Sequence, residues 1–172
     1  MNNSKDISLI QSKNLNDYSD ILKEFVNLFG KEFEKDIKAW CNNEKGYMPG
    51  FWKVYLIRLH NNKTVGITGL YSLNSDKNDE LWLGWFGVQQ KYRRNGFGGN
   101  ALDKTFEIAK DKGAKKLFVY TWPDNKAIKL FEKKRFVKNG KVKDIIVQKN
   151  LYKKYFGSLN DIVLQKMVTD LF

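Results

Sequence analysis

The chain has 172 residues, of which 42% are hydrophobic and 15% are aromatic. This composition excludes a disordered chain and predicts one packed domain spanning residues 1–172. No apolar run approaches the roughly 20 residues that a membrane helix needs, and the N-terminus lacks an apolar signal segment, so we expect a cytoplasmic protein. A single cysteine, Cys41, excludes an intramolecular disulfide framework.

The positive charge is concentrated in one half of the chain. Residues 1–90 carry 11 basic and 11 acidic residues, whereas residues 91–172 carry 20 basic and 8 acidic ones, which accounts for the whole net charge of +12. A basic half indicates an acidic partner, such as a polyphosphate ligand or a nucleic acid, or else a solvated lysine surface. Two of the four arginines are adjacent, at Arg93 and Arg94.

Hydrophobic periodicity and turn residues predict seven strands and four helices. The strands are expected at 7–10, 51–59, 64–73, 80–88, 116–122, 136–142 and 161–168. The helices are expected at 18–29, 31–42, 98–112 and 125–134, with Gly113 ending the third and Asp124 capping the fourth. The strands from 51 to 88 form an antiparallel meander, a parallel crossover over the third helix leads to 116–122, and a basic connection at 149–157 joins the last two strands.

The segment 88–102 carries the clearest functional signal. An apolar strand ends at Val88, seven residues that include the paired arginines follow, and Gly96, Gly98 and Gly99 open an amphipathic helix. Backbone N–H groups at such a turn bind anions with the help of the helix dipole, and arginine adds a planar fork for phosphate oxygens. The sequence therefore predicts a phosphate-binding loop.

Three kinds of phosphate-binding glycine loop compete for this segment. A Walker loop is excluded, because no second glycine precedes Lys104. The dinucleotide fingerprint GxGxxA is present, but seven residues separate the strand from its first glycine, and no acidic residue ends the next strand to bind a ribose. The third kind has the pattern Val-x-x-x-Tyr-Arg-x-x-Gly-x-Gly, which is matched by Val88, Tyr92, Arg93, Gly96 and Gly98.

This third pattern resembles the acyl-CoA pyrophosphate loop of the GNAT superfamily of N-acetyltransferases. The segment 125–136, NKAIKLFEKKRF, is similar to a second segment of that family, N…A…LYEKxGF, and the order of the elements also agrees. The resemblance implies a single-domain α+β fold of the GNAT type. Its mixed, mostly antiparallel sheet has about seven strands, strands four and five splay apart, and about four helices flank the sheet.

The resemblance further implies an N-acetyltransferase that moves an acetyl group from acetyl-CoA to an amine of a small molecule or peptide by direct attack. The alternative is a GNAT-like acyl-CoA-binding sensor without turnover. The expected partners are acetyl-CoA and an amine acceptor rather than a nucleic acid or a membrane, with no metal, and the protein is a monomer or homodimer. The residues implied in binding the cosubstrate are Phe86, Val88, Arg93, Arg94, Asn95, Gly96, Phe97, Gly98, Gly99, Asn125 and Phe131.

Direct attack requires a base for the acceptor ammonium. Glu80 is the nearest acidic candidate, and by strand alternation it projects to one face with Trp82, Phe86 and Val88. Related enzymes place a glutamate on this strand where this chain has Trp82, so Glu80 is either a base acting through water or a residue that ends the strand.

The leaving thiolate is helped by an acid, which in the family is the tyrosine of LYEK. This chain has Phe131 there, and phenylalanine cannot donate a proton. Tyr120 is the candidate substitute, or else a cross-strand aromatic residue. Two further departures are Arg135, which replaces the usual glycine, and the spacing by which either Asp124 or Asn125 matches the family's asparagine.

Overall fold

The structure is a computed structural model that describes residues 6–11, 15–35, 37–38, 52–73, 76–149 and 158–168. Its strands are β1 (Ile7–Gln11), β2 (Trp52–Leu59), β3 (Thr64–Tyr71), β4 (Glu80–Val88), β5 (Lys116–Thr121), β6 (Val137–Lys141) and β7 (Ile162–Met167). The described helices include α1 (Leu15–Phe29), α2 (Phe97–Asp111), α3 (Ile128–Lys133) and α4 (Val142–Lys149), with 3-10 turns at Lys31–Phe33 and Gln90–Tyr92.

The seven strands form one mixed sheet in the order β1-β2-β3-β4-β5-β7-β6. The pairs β1–β2, β2–β3, β3–β4, β5–β7 and β6–β7 are antiparallel, whereas β4 and β5 are parallel. A parallel pair requires a crossover, and α2 supplies it. The predicted α+β class, the meander and the crossover are therefore confirmed.

Helices cover both faces of the sheet. On the side that we call the α1 face, Ile21 and Phe25 of α1 and Val142 and Ile145 of α4 pack with Trp82. On the opposite side, which we call the α2 face, the cluster includes Leu102, Phe106, Leu117, Phe131 and Leu164. The two apolar layers fix β4 and β5 between them.

The helix α4 was not predicted, because its sequence resembles a strand. The β-branched run Ile145, Ile146 and Val147 favours extended structure. In the structure Val142 and Ile145 are buried three residues apart, which is a helical spacing, and Val147 is 83% exposed. Packing on the α1 face thus overrides local preference. The rest of the expected connection, 150–157, and the end of the expected second helix, 39–42, lie outside the described residues.

A β-bulge in β4 changes which face its residues point to. In the pairing with β3, Ile67 is opposite Gly87 and Gly69 is opposite Gly84, so that Thr68 alone faces the two residues between those glycines. One of the two, Trp85, has φ 51°, in the left-handed region. The extra residue reverses the alternation of side chains beyond this point.

The predicted strand parity is wrong because of this bulge. Trp82 and Trp85 both pack on the α1 face. Phe86 packs on the α2 face, and Val88 packs with it against the N-terminal part of α2. Glu80 therefore shares a face with Trp82, as expected, but not with Phe86 and Val88.

Candidate functional site

The strands β4 and β5 diverge in the middle of the sheet. They pair only at Glu80–Lys116, Leu81–Leu117 and Trp82–Phe118, after which β4 continues to Val88 while β5 stays paired with β7. The result is a V-shaped opening that is closed at Trp82 and widens toward the C-terminal ends of both strands. Backbone groups on this side of β4 face the opening, as unpaired groups do at a strand edge.

The loop after β4 is held by its own side chains. Arg93 donates from Nε to the carbonyl oxygen of Val88 at 2.8 Å, and Asn95 donates from Nδ2 to the carbonyl oxygens of Tyr92 and Arg93 at 3.3 and 3.2 Å. Arg94 has φ 63° and an exposed side chain. Arg93 and Asn95 thus brace the loop, and Arg94 projects from it.

The N-terminus of α2 follows directly. Gly96 precedes the helix with φ 87°, a conformation that favours glycine. Asn100 donates its backbone N–H to the carbonyl oxygen of Gly96 at 3.1 Å. The N–H groups of Phe97, Gly98 and Gly99 come before this bond in the helix, so they have no intrahelical acceptor. They are the groups with which a helix N-terminus binds an anion.

The two glycines of this first turn lie against α3 and the residue after it. A Cβ at Gly98 would be 3.3 Å from Cδ2 of Leu130, so a side chain there would require Leu130 to move by a few tenths of an ångström. A Cβ at Gly99 would be 3.4 Å from Cε of Lys134, whose ammonium contacts Asp103 at 2.5 Å. Lys134 therefore places an ammonium, paired with Asp103, beside the helix N-terminus. We did not predict this residue, although it lies in the second family-like segment.

The second family-like segment supplies packing and a local turn. Phe131 is 3% exposed, with ring centroids 6.1 Å from Phe86 and 5.5 Å from Phe136. Asn125 donates from Nδ2 to Oγ1 of Thr121 at 2.6 Å, and its Oδ1 accepts the backbone N–H of Ala127 at 2.9 Å. Asn125, rather than the expected Asp124, thus shapes the entry to α3.

Arg135 replaces the family's glycine in a position that suits glycine. Its φ is 65°, in the left-handed region. Its backbone N–H donates to the carbonyl oxygen of Glu132 at 2.9 Å as α3 ends. A left-handed residue just after a helix is the usual place for a C-terminal glycine.

Glu80 lies at the closed end of the V, in a buried group of charges. It contacts the ammonium of Lys149 and lies 3.8 Å from that of Lys116. Lys149 also contacts Asp76 at 3.1 Å, and Asp76 accepts the indole N–H of Trp82 at 2.9 Å. Asp76 was not predicted, because it lies in a turn without periodic pattern.

Tyr120 lies beyond the point where the strands diverge. Its ring packs on the α1 face, with its centroid 6.5 Å from that of Trp82 in an edge-on arrangement. On the other side Trp82 stacks with Tyr71 at 6.1 Å. Burial raises the pKa of the Tyr71 hydroxyl well above its usual value, and nearby Tyr120 and Asp76 add to the shift. Glu80 and Tyr120 therefore both lie near Trp82, whereas the loop lies at the other end of β4.

Fold and loop together define a protein class. A parallel strand pair that diverges over a glycine-rich helix N-terminus is the arrangement that the GNAT resemblance implies, and comparison with known families agrees. The sequence model of the Acetyltransferase (GNAT) family matches residues 17–136. The chain belongs to this family.

Solved structures show the same fold. A GNAT-family acetyltransferase from Staphylococcus aureus Mu50 has a TM-score of 0.67 at 18% identity, covering 95% of this chain and 99% of its own. A spermidine N-acetyltransferase chimera from Vibrio cholerae and hSSAT has a TM-score of 0.70 at 12% identity, covering 96% and 97%. A GNAT-family acetyltransferase from Elizabethkingia anophelis with acetyl-CoA bound has 0.64 at 18%, covering 96% and 99%.

No curated protein sequence matches the chain. Among the helices that the structure describes, none has the length and hydropathy of a membrane-spanning segment. Within the same residues, no three His, Cys, Asp or Glu side chains come together as a metal-binding group.

Proposed function

We propose that this protein is an N-acetyltransferase that transfers the acetyl group of acetyl-CoA to an amine of a small molecule or peptide. One observation carries the proposal: the first turn of α2 lies beside the end of β4 that borders the opening, because a Cβ at Gly98 would be 3.7 Å from Phe86 and 3.8 Å from Val88. Membership of the acetyltransferase family supports it, as does the related fold from Elizabethkingia anophelis with acetyl-CoA bound.

The residues present fit a CoA thioester. The three N–H groups at the start of α2, with Arg94 and Lys134 nearby, suit a pyrophosphate, because they combine donors, a helix dipole and positive charge. The edge of β4 beyond Trp82 offers peptide groups to the amides of a pantetheine arm, and we assign this role to Phe86 and Val88. One carbonyl lone pair of Val88 is already used by Arg93. We therefore assign the second lone pair of this carbonyl, together with the N–H group of Val88, to the pantetheine amides.

Phe131 is proposed as an apolar wall of the site. Its ring, with Phe86, closes the α2 face beside the opening. Because it has no hydroxyl, it can exclude water from the thioester but cannot protonate the thiolate.

In the proposed reaction the amine nitrogen bonds to the thioester carbonyl carbon, the C–S bond breaks, the amine loses a proton and the thiolate gains one. We assign proton removal to Glu80, acting through water, and thiolate protonation to Tyr120. Both lie on the α1 face around Trp82. Such proton transfers contribute roughly 10²- to 10⁴-fold to a rate.

The test has two stages. Titration calorimetry with CoA measures binding, and free-thiol release from acetyl-CoA is then followed across amines, beginning with polyamines because one structural relative is a spermidine N-acetyltransferase. We expect binding and acceptor-dependent thiol release. Absence of CoA binding at millimolar concentration would overturn the proposal, and binding without release on any amine would indicate a sensor instead.

Variants locate the binding site. We expect Arg94→Ala to weaken CoA binding by at least about tenfold, since a charge-assisted contact is worth about 1.5–3 kcal/mol. Gly99→Asp should also weaken it, because the new carboxylate would lie beside Lys134 and neutralise that ammonium next to the helix N-terminus. Lys129→Ala removes one positive charge from an exposed position on α3 and serves as the control. Equal effects of Arg94→Ala and Lys129→Ala would mean that overall charge, rather than the loop, binds CoA.

A further inference from the structure

A buried carboxylate on α1 contacts the residue at which the phosphate-binding loop begins. Glu24 is only 4% exposed. The side-chain amide of Gln89 donates from Nε2 to both of its carboxylate oxygens, at 2.9 and 2.7 Å, and lies 3.3 Å from the carbonyl oxygen of Thr64. This contact joins two elements that are 65 residues apart in the chain.

Gln89 is the junction between β4 and the loop. Its backbone N–H donates to the carbonyl oxygen of Val65 at 2.9 Å, which continues the pairing with β3, and its carbonyl oxygen accepts the N–H of Tyr92 at 2.9 Å, which closes the 3-10 turn. The preceding residue, Val88, receives the Nε–H of Arg93. The direction of the loop is therefore set at Gln89, and Glu24 holds its side chain.

The burial of Glu24 does not by itself stabilise the fold. Burying a carboxylate is unfavourable, and burial raises the pKa of Glu24, although the hydrogen bond from Gln89 and the charge of Lys91 act in the opposite direction. The helix α1 has other attachments to the sheet. Ile21 and Phe25 are fully buried in the α1-face cluster, and Asp20 contacts Arg58 of β2 at 3.2 Å.

We propose that Glu24 is a positioning residue for the acyl-CoA site. By fixing Gln89 it orients the loop so that Arg94 and the N–H groups at the start of α2 converge on the pyrophosphate. The inference rests on the proposed function, because the loop must bind CoA for its orientation to matter. It adds a residue on α1, remote in sequence from both family-like segments, to those that determine the affinity for CoA.

The test compares CoA affinity with stability. In Glu24→Met the loop loses its contact with α1 while the side-chain volume is kept and Gln89 still has the Thr64 oxygen. We expect the Kd for CoA to rise by about tenfold, within the range of known couplings between sites, while the midpoint of thermal unfolding at pH 7 stays the same or rises. Glu24→Gln keeps one acceptor for Gln89 and is expected to recover most of the affinity.

The matched control is Asp20→Ala, which removes another contact between α1 and the sheet, away from the loop. Its Kd for CoA should stay within about twofold of the wild-type value. If Glu24→Met does not fold, Gln89→Leu tests the same contact from the loop side, with the same expected loss of affinity.

Three outcomes would count against the inference or its basis. Unchanged CoA affinity in Glu24→Met, or in Gln89→Leu if that variant is needed, would overturn it. Equal losses in Glu24→Met and Asp20→Ala would show that α1 docking in general, not Glu24, supports the loop. If the wild-type protein itself fails to bind CoA, the proposed function is overturned, and this inference with it.

Discussion

The backbone of Trp85 has an unfavourable conformation, and the packing of its own side chain stabilises it. Its φ of 51° places it in the left-handed region, which costs a residue with a Cβ about 1–2 kcal/mol. Its ring lies 4.6 Å from the ring of Phe25, 5.5 Å from Phe29 and 6.1 Å from Phe33, measured between centroids. This aromatic packing offsets the strain and keeps the bulge in β4.

The order of two Trp85 variants tests this account. Trp85→Ala removes the ring but keeps the strained Cβ, and we expect it to lose about 3–5 kcal/mol of unfolding free energy. Trp85→Gly also removes the strain, so it should be about 1 kcal/mol more stable than the Ala variant. Urea unfolding measures both. Val119 of β5, a buried strand residue, is the control position. There the usual order is expected, with Val119→Gly less stable than Val119→Ala. A Trp85→Gly variant less stable than Trp85→Ala would contradict this account.

The raised pKa of Glu24 predicts a pH dependence of stability. A group with a higher pKa in the folded than in the unfolded state stabilises the fold below its unfolded pKa and loses that contribution as the pH rises through the folded pKa. Burial raises the pKa of Glu24 from 4.5, so the wild-type protein should lose stability relative to Glu24→Gln as the pH rises above about 4.5. Unfolding midpoints of both proteins between pH 4 and 7 should diverge, and a constant difference would contradict the prediction.

At the scale of elements, α4 is attached to the sheet through its last residue. The Lys149 ammonium contacts Asp76 and Glu80 and lies 4.7 Å from the ring centroid of Phe118. Both carboxylates are almost fully buried. This contact links the connection between β6 and β7 to the closed end of the V.

Replacing Lys149 should therefore lower the free energy of unfolding considerably. Lys149→Met leaves two buried carboxylates, and among the described residues Lys116, 3.8 Å from Glu80, is the cation that remains in contact. We expect a loss of about 3–5 kcal/mol of unfolding free energy. Lys138→Met is the matched control, because its ammonium lies 3.9 Å from Glu132 with both side chains exposed. It should change stability by less than about 1 kcal/mol. Chemical denaturation of both variants gives the comparison, and similar losses would argue against a special role of the buried group.

The elements also show where sequence reasoning succeeds. The strand at 80–88, the glycine-rich turn and α2 were predicted, because apolar runs, Gly96 and Gly113 mark them directly. The bulge was not predicted. Alternation assumes a fixed period of two, and a single extra residue does not change the composition of a strand. The two glycines that flank it, Gly84 and Gly87, were the available signal.

Only those parts of the candidate site that form one continuous segment of the chain could be predicted from the sequence. The loop residues from Arg93 to Gly99 form a continuous segment, so one motif indicates all of them. The contacts of Glu24 with Gln89 and of Lys149 with Asp76 join residues 65 and 73 positions apart. Such pairs depend on how α1 and α4 dock on the sheet, and nothing in the residue types reveals their partners.

For the whole molecule, we expect the uneven charge to aid the binding of CoA in the proposed reaction. The excess of 20 basic over 8 acidic residues lies in 91–172, the half that contains α2 and Arg94. A field of this sign attracts the phosphates of CoA from a distance, whereas Arg94 acts only at contact. The long-range part changes the association rate, and the contact part changes the dissociation rate.

Stopped-flow binding of CoA separates these two parts. Raising the ionic strength from about 0.05 M to about 0.5 M shortens the Debye length from roughly 14 Å to roughly 4 Å and should slow wild-type association severalfold. Arg94→Ala should keep most of this salt dependence, because 30 of the 31 basic residues remain, while its dissociation becomes faster at both salt concentrations. Association that does not respond to salt would mean that the basic half is only a solvated surface. If Lys129→Ala accelerates dissociation as much as Arg94→Ala does, Arg94 does not act through a specific contact with CoA.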